Sequence, residues 1–140
     1  MKHILGASLA SISLLVSSFS VLPLYLDYEH SQVTDHSTEI KVILSNVYTS
    51  NMQYKKLMDF VLQEKPDIIV LQEVNEDWVN NIKVLFERYP HRVIKAQHDN
   101  FGIAVFIKLE ALVQKIVDLS EIEIPSIKSK FNVGDKIVHL

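Results

Sequence analysis

The chain has 140 residues, 14 basic and 17 acidic side chains, and a formal net charge of −3. That leaves room for one modest domain, and the acidic balance argues against a broad basic surface for a nucleic-acid backbone. With no cysteine it has no disulfide framework, which suits an exported bacterial protein and a cytosolic one equally.

Residues 1–26 are almost free of charge: Lys2 and His3 stand at the front and the first acid is Asp27. Ile4 to Leu26 has the length to cross a bilayer as a helix, which takes roughly 20 apolar residues, although six serines dilute it. A secretory signal peptide is the alternative. The bulky Val21-Leu22-Pro23-Leu24-Tyr25 offers no small-residue cleavage site, which favours an uncleaved anchor. Lys2 before the segment and Asp27, Glu29 and Asp35 after it put the N-terminus inside and the remainder on the extracytoplasmic side; a cleaved signal would give a secreted product. Residues 27–39 are polar, without periodicity, and read as a linker.

From residue 40 the pattern is α/β. Ile40 to Asn46 is a short apolar run ending on a polar side chain, and reads as a strand. Ser50 or Asn51 can cap a helix beginning near Met52, with Leu57, Phe60, Val61 and Leu62 at helical spacing and Tyr54 and Met58 beside them. Pro66 forbids its continuation. Ile68 to Gln72 has the length and β-branched content of a strand buried on both faces, and Glu73 stands at its exit. Asn75 then caps a second helix with Glu76 and Asp77 in its first turn. Trp78, Ile82, Leu85 and Phe86 form its apolar face, and Tyr89-Pro90 closes it. Arg92 to Ala96 and Ile103 to Ile107 are short strands around the turn Gln97-His98-Asp99-Asn100. Leu112 to Leu119 and Lys136 to Leu140 read as further strands, split by a polar stretch containing Pro125. Gly134-Asp135 marks a hairpin turn.

A carboxylate at the exit of a buried strand sits at the edge of the core, where a divalent ion can neutralise it. By composition alone Glu73 reads first as a surface residue at a strand end, and Asn46 as a turn residue capping its own backbone. The order changes the reading. Leu44-Ser45-Asn46-Val47 is followed by a helix and then by Pro66-Asp67-Ile68-Ile69-Val70-Leu71-Gln72-Glu73. Tyr89-Pro90 and Phe101-Gly102-Ile103-Ala104-Val105-Phe106 come further on. This ordered set resembles the endonuclease/exonuclease/phosphatase superfamily, the DNase I-like metal-dependent phosphoesterases, over roughly residues 40 to 140.

The resemblance implies the amino-terminal half of a four-layer α/β-sandwich, two sheets face to face with helices outside. It implies Mg²⁺ or Mn²⁺ held by Glu73, with Asn46 as a catalytic position contacting a metal-bound water or a phosphate oxygen. The substrate would be a phosphoester: a nucleic acid, a phospholipid head group or an inositol phosphate. His139 lacks the hydroxyl-bearing neighbour of the family's late Thr-His pair and reads as a strand residue. No Gly-Asp-x-Asn or Ser-Asp-His segment follows. The expectation is therefore a phosphoester hydrolase domain, residues 40–140, cut off before its catalytic His and inactive as given. A non-catalytic, membrane-anchored α/β remnant or binding module is the alternative.

Overall fold

The structure, a computed structural model, describes residues 2–22, 38–119 and 124–140, with side chains from residue 11 onward. The chain divides into two compact units, 1–37 and 38–140. The first contains helix α1, Lys2–Val21. The predicted apolar span 4–26 runs past α1 into residues outside the description, as does most of the linker. Among the described residues no helix is long and apolar enough to cross a membrane.

The second unit runs β1 (Val42–Asn46), α2 (Tyr54–Glu64), β2 (Ile68–Gln72), α3 (Glu76–Asn81), α4 (Leu85–Arg88), β3 (His91–Lys95), β4 (Ile103–Ile107), β5 (Ala111–Asp118), β6 (Pro125–Val133) and β7 (Lys136–His139). The first four strands form one sheet in the order β1-β2-β4-β3, and the last three form another in the order β5-β6-β7. β1 and β2 are parallel, with Asn46 opposite Gln72; the β2–β4 and β3–β4 pairs are antiparallel.

The Pro66-Asp67 dipeptide sets that register. Lys65 ends α2 in the left-handed conformation, its N–H bonded to the Val61 carbonyl, and Pro66 prevents another helical turn. The Asp67 carboxylate then accepts the Lys41 backbone N–H at 2.9 Å, while the Asp67 N–H donates to the Lys41 carbonyl at 2.8 Å. The entrances of β1 and β2 are thereby tied, so their exits fall side by side.

Both faces of β2 are covered, as its unbroken apolar run requires. On one face Ile69 and Leu71 join Ala104 and Phe106 against Met58, Val61, Trp78, Ile82 and Leu85 from the helices. On the other, Ile68, Val105 and Ile107 meet Phe131, with Ile127, Val133 and Val138 around it. The described layers are therefore helix, sheet and sheet. Two sheets of an α/β fold appear as expected; the fourth layer, helices over the outer face of the second sheet, is not among the described residues.

Three local expectations change. Helix α2 begins at Tyr54 rather than near Met52, because the Asn51 side chain accepts the Gln53 N–H and holds a turn there. The second predicted helix divides into α3 and α4. The Leu85 and Phe86 N–H groups donate to the carbonyls three residues back, a tighter winding than an α-helix continues, and it follows Asn80-Asn81, poor helix formers. The stretch around Pro125 is not a connection but strand β6. Pro125 occupies its first position, where a missing N–H does no harm; Pro125, Ser129 and Phe131 are buried, and Ile127 and Val133 on the same side of the strand pack against the first sheet. The β6–β7 hairpin turns at Gly134-Asp135 between the paired Val133 and Lys136, with Gly134 at φ 55°.

Candidate active site

Asn46 is the last residue of β1 and Glu73 the first after β2. Parallel neighbours place their carboxyl ends on one rim, and the two side chains meet there. The Asn46 amide N–H donates to Glu73 Oε1 at 2.5 Å, and Asn46 Oδ1 accepts the Tyr48 backbone N–H at 2.9 Å. The second contact fixes which way the amide faces, since only its nitrogen can donate to a carboxylate. Asn46 is thus both the local turn former and the neighbour of the acid.

Glu73 is held by its backbone. Its φ is 62°, in the left-handed region that costs a non-glycine residue about 1 kcal/mol or more. The turn sends Val74 back across β4: the Val74 N–H donates to the Gly102 carbonyl and the Val74 carbonyl accepts the Gln97 N–H. The approach is so close that a Cβ on Gly102 would lie 1.8 Å from the Val74 oxygen, which explains the glycine of the Phe101-Gly102-Ile103 stretch. Thr49 adds a clamp that sequence reasoning missed. Its hydroxyl lies 3.1 Å from the Glu73 carbonyl and 3.3 Å from that of Asp99. Asn75 caps α3 by accepting the Trp78 N–H, as predicted, and its amide also donates to the Thr49 carbonyl.

Glu73 Oε2 is buried and has no hydrogen-bond partner among the described residues. A buried, unpaired carboxylate oxygen is costly, and a cation facing it removes the cost. Glu73 and Asn46 line a cleft of about 260 Å³ with Gln72, Asn100, Phe101 and Gly102, closed by Ile124 and Pro125 from the second sheet. Asn46 also borders a second groove, about 370 Å³, with Lys56, Phe60 and Trp78. No group of three or more His, Cys, Asp or Glu side chains is found together among the described residues. The donor set is one carboxylate and one amide, which suits a hydrated Mg²⁺ or Mn²⁺ that keeps waters and shares substrate phosphate oxygens, rather than a caged ion. Among the described residues that line the cleft there is no histidine. His139 ends β7 opposite Lys130, a strand residue as expected.

None of the curated proteins matches this chain. Among solved structures, TDP2 from Caenorhabditis elegans aligns at a TM-score of 0.61 and 16% identity over 71% of this chain and 33% of that one. Zebrafish (D. rerio) TDP2, solved with a single-strand DNA product, gives 0.64 and 13% over 74% and 44%. Sphingomyelinase C from Streptomyces griseocarneus gives 0.57 and 16% over 74% and 48%. At these identities the likeness is one of fold, and the chain spans between a third and a half of those structures. The model of the endonuclease/exonuclease/phosphatase family, a family of phosphoester hydrolases, matches residues 43–138. By that match, over most of its length, the chain belongs to the endonuclease/exonuclease/phosphatase family.

Proposed function

We propose that this chain supplies the metal-binding rim of a Mg²⁺- or Mn²⁺-dependent phosphoester hydrolase. The observation that carries the reading is the state of the Glu73 carboxylate: Oε1 is held by Asn46, while Oε2 is buried with no partner among the described residues. Glu73 would hold the ion, which when bound neutralises phosphate charge and makes a bound water more acidic. Asn46, kept in place by the Tyr48 N–H, orients the carboxylate and offers its amide to a phosphate oxygen. The turn at Glu73, braced by Val74, Gly102 and Thr49, keeps both groups on a rigid sheet end rather than on a mobile loop. The cleft takes a phosphoester, with nucleic acid, phospholipid head group and inositol phosphate as the substrate classes.

Residues 4–26 would hold the chain in a membrane with the domain on the extracytoplasmic side; the support is sequence alone, the apolar length, Lys2 in front and the acids behind. Alkaline phosphatase fused after Glu39 should be active in a bacterial host, and an inactive fusion would reverse the topology.

The test of the metal reading is a thermal melt of the full chain in EDTA and in Mn²⁺. Mn²⁺ at a hundred times its dissociation constant should stabilise the wild type by about 2.7 kcal/mol. Glu73→Gln keeps the shape and removes the charge, so it should fold at least as well in EDTA and gain nothing from Mn²⁺. An undiminished gain in Glu73→Gln would place the ion elsewhere.

A further inference from the structure

Two turns at the rim are strained. Among the described residues, Lys65, Tyr48 and Glu73 are the non-glycines with a positive φ. Lys65 ends α2; Tyr48, at 57°, follows β1, and Glu73, at 62°, follows β2. A bulky residue keeps this conformation only where its surroundings hold it there, and such residues gather at ligand sites. The hold on Tyr48 comes largely from helix α3. Three consecutive carbonyls are met by side-chain donors: the Asn51 amide donates to Val47 at 3.2 Å, the Trp78 indole N–H to Tyr48 at 3.4 Å, and the Asn75 amide to Thr49 at 3.1 Å. The Trp78 backbone N–H is itself held by Asn75 Oδ1, so the two donors from α3 fix each other. The Tyr48 carbonyl also accepts the Asn51 backbone N–H at 2.8 Å, which uses both its lone pairs. The Tyr48 N–H donates to Asn46 Oδ1, and the Asn46 amide donates to Glu73. Hydrogen bonds thus run unbroken from the Trp78 indole, through Tyr48 and Asn46, to the Glu73 carboxylate.

We propose that Trp78 is a positioning residue for the Glu73 carboxylate. Packing alone does not ask for tryptophan here. The side chain is buried and stands edge-on to Tyr54, with ring centroids 4.7 Å apart, and phenylalanine could make the same contact. What tryptophan adds is a donor that a buried indole must place, and it is placed on the strained turn. By holding the Tyr48 carbonyl, Trp78 fixes the turn. The turn aims the Tyr48 N–H at Asn46, and Asn46 so held presents its amide to Glu73. Partners outside the ligand shell that orient a ligand set much of a metal site's affinity. A parallel connection runs from Asn75 through Thr49 to Glu73, but it ends on the Glu73 backbone carbonyl. Only the route through Asn46 reaches the carboxylate. The inference rests on the metal reading of Glu73 and deepens it: helix α3 sets part of the affinity of the rim.

Trp78 is the only tryptophan, so its indole N–H gives a single resonance in a proton–nitrogen correlation spectrum of the full chain. Titration with Mg²⁺, which is diamagnetic, should shift this resonance and the Glu73 backbone amide together, with one dissociation constant. In Asn46→Ala, saturating Mg²⁺ should still shift the Glu73 amide but leave the indole unmoved, because the series is cut. Trp78→Phe should raise the dissociation constant read at the Glu73 amide by roughly tenfold. Tyr54→Leu removes the ring contact but leaves the indole donor, so it should leave the dissociation constant unchanged while lowering stability. Folded molecules give their own resonances, so lost stability does not imitate lost affinity. The inference is overturned, with the metal reading left standing, by a wild-type Glu73 shift without an indole shift, an indole shift that persists in Asn46→Ala, an unchanged dissociation constant in Trp78→Phe, or an equal rise in Tyr54→Leu. No shift at either group in the wild type would remove both. If Trp78→Phe does not fold, the indole resonance in the wild type and in Asn46→Ala decides.

Discussion

Gly102 and Val74 are in backbone contact so close that no side chain fits between them: a Cβ at 102 would sit 1.8 Å from the Val74 carbonyl oxygen. That contact fixes the turn after β2 on which Glu73 stands. Gly102→Ala must push β4 or the turn aside, an overpacking that costs roughly 3 kcal/mol or more against the backbone. The expected result is a lower midpoint in urea together with weaker Mn²⁺ binding. A variant that melts with the wild type would show that the turn yields freely and does not position Glu73.

Tyr89 gives the domain an alkaline limit. Its ring is buried beside Phe106, and its hydroxyl donates to the Pro66 carbonyl at 2.9 Å. Burial, with the nearby Asp67 charge adding to it, raises its pKa from 10.0 to about 12. The folded state therefore keeps a proton that the unfolded chain releases first, so stability falls as pH rises. The contribution is fully present below pH 10 and lost through pH 12, a total of roughly 3 kcal/mol. Tyr89→Phe should be about 1 kcal/mol less stable at neutral pH but show a flatter decline above pH 10 in urea melts. A decline as steep as the wild type's would assign the alkaline limit to another group.

The 140 residues assayed by themselves should show no metal-dependent turnover of bis-p-nitrophenyl phosphate or plasmid DNA. Asn46 and Glu73 place charge, but among the described residues no histidine lines the cleft to accept a proton, and catalytic groups that act as a unit fail together when some are missing. Turnover that Glu73→Ala abolishes would overturn this and call for a base within these residues.

The parts of this fold legible in the sequence are those where one residue type has few alternatives. Pro66 ends α2, the apolar run after it is a central strand, and Gly134-Asp135 turns a hairpin. Asn46 and Glu73 meet because both follow strands whose starts are tied by Asp67 and Lys41, so a reading of strand ends brought them together. Strand β6 was hidden because Pro125, Lys128 and Lys130 resemble a solvated connection, and a proline and a serine interrupt the apolar inward residues Ile127, Phe131 and Val133. Thr49 was invisible for another reason. A threonine in a polar loop has many uses, and only the tertiary approach of Asp99 and Glu73 selects one.

The pair Asn46 and Glu73 allows a sharper test than the loss of either. Asn46→Asp exchanges a donor for a second carboxylate, so a hydrogen bond to a charged group is replaced by repulsion. In EDTA the variant should be less stable by on the order of 2 kcal/mol. A divalent ion seated at Glu73 would reverse this, because two carboxylates then share it and hard cations favour added anionic oxygen. Mn²⁺ should therefore stabilise Asn46→Asp more than the wild type, bringing the two melting curves together or crossing them. Asn46→Asp combined with Glu73→Gln restores a single carboxylate and should keep only a weak Mn²⁺ response. If Mn²⁺ raises wild type and Asn46→Asp by equal amounts, the ion does not lie within reach of residue 46, and the rim formed by the ends of β1 and β2 is not where it binds.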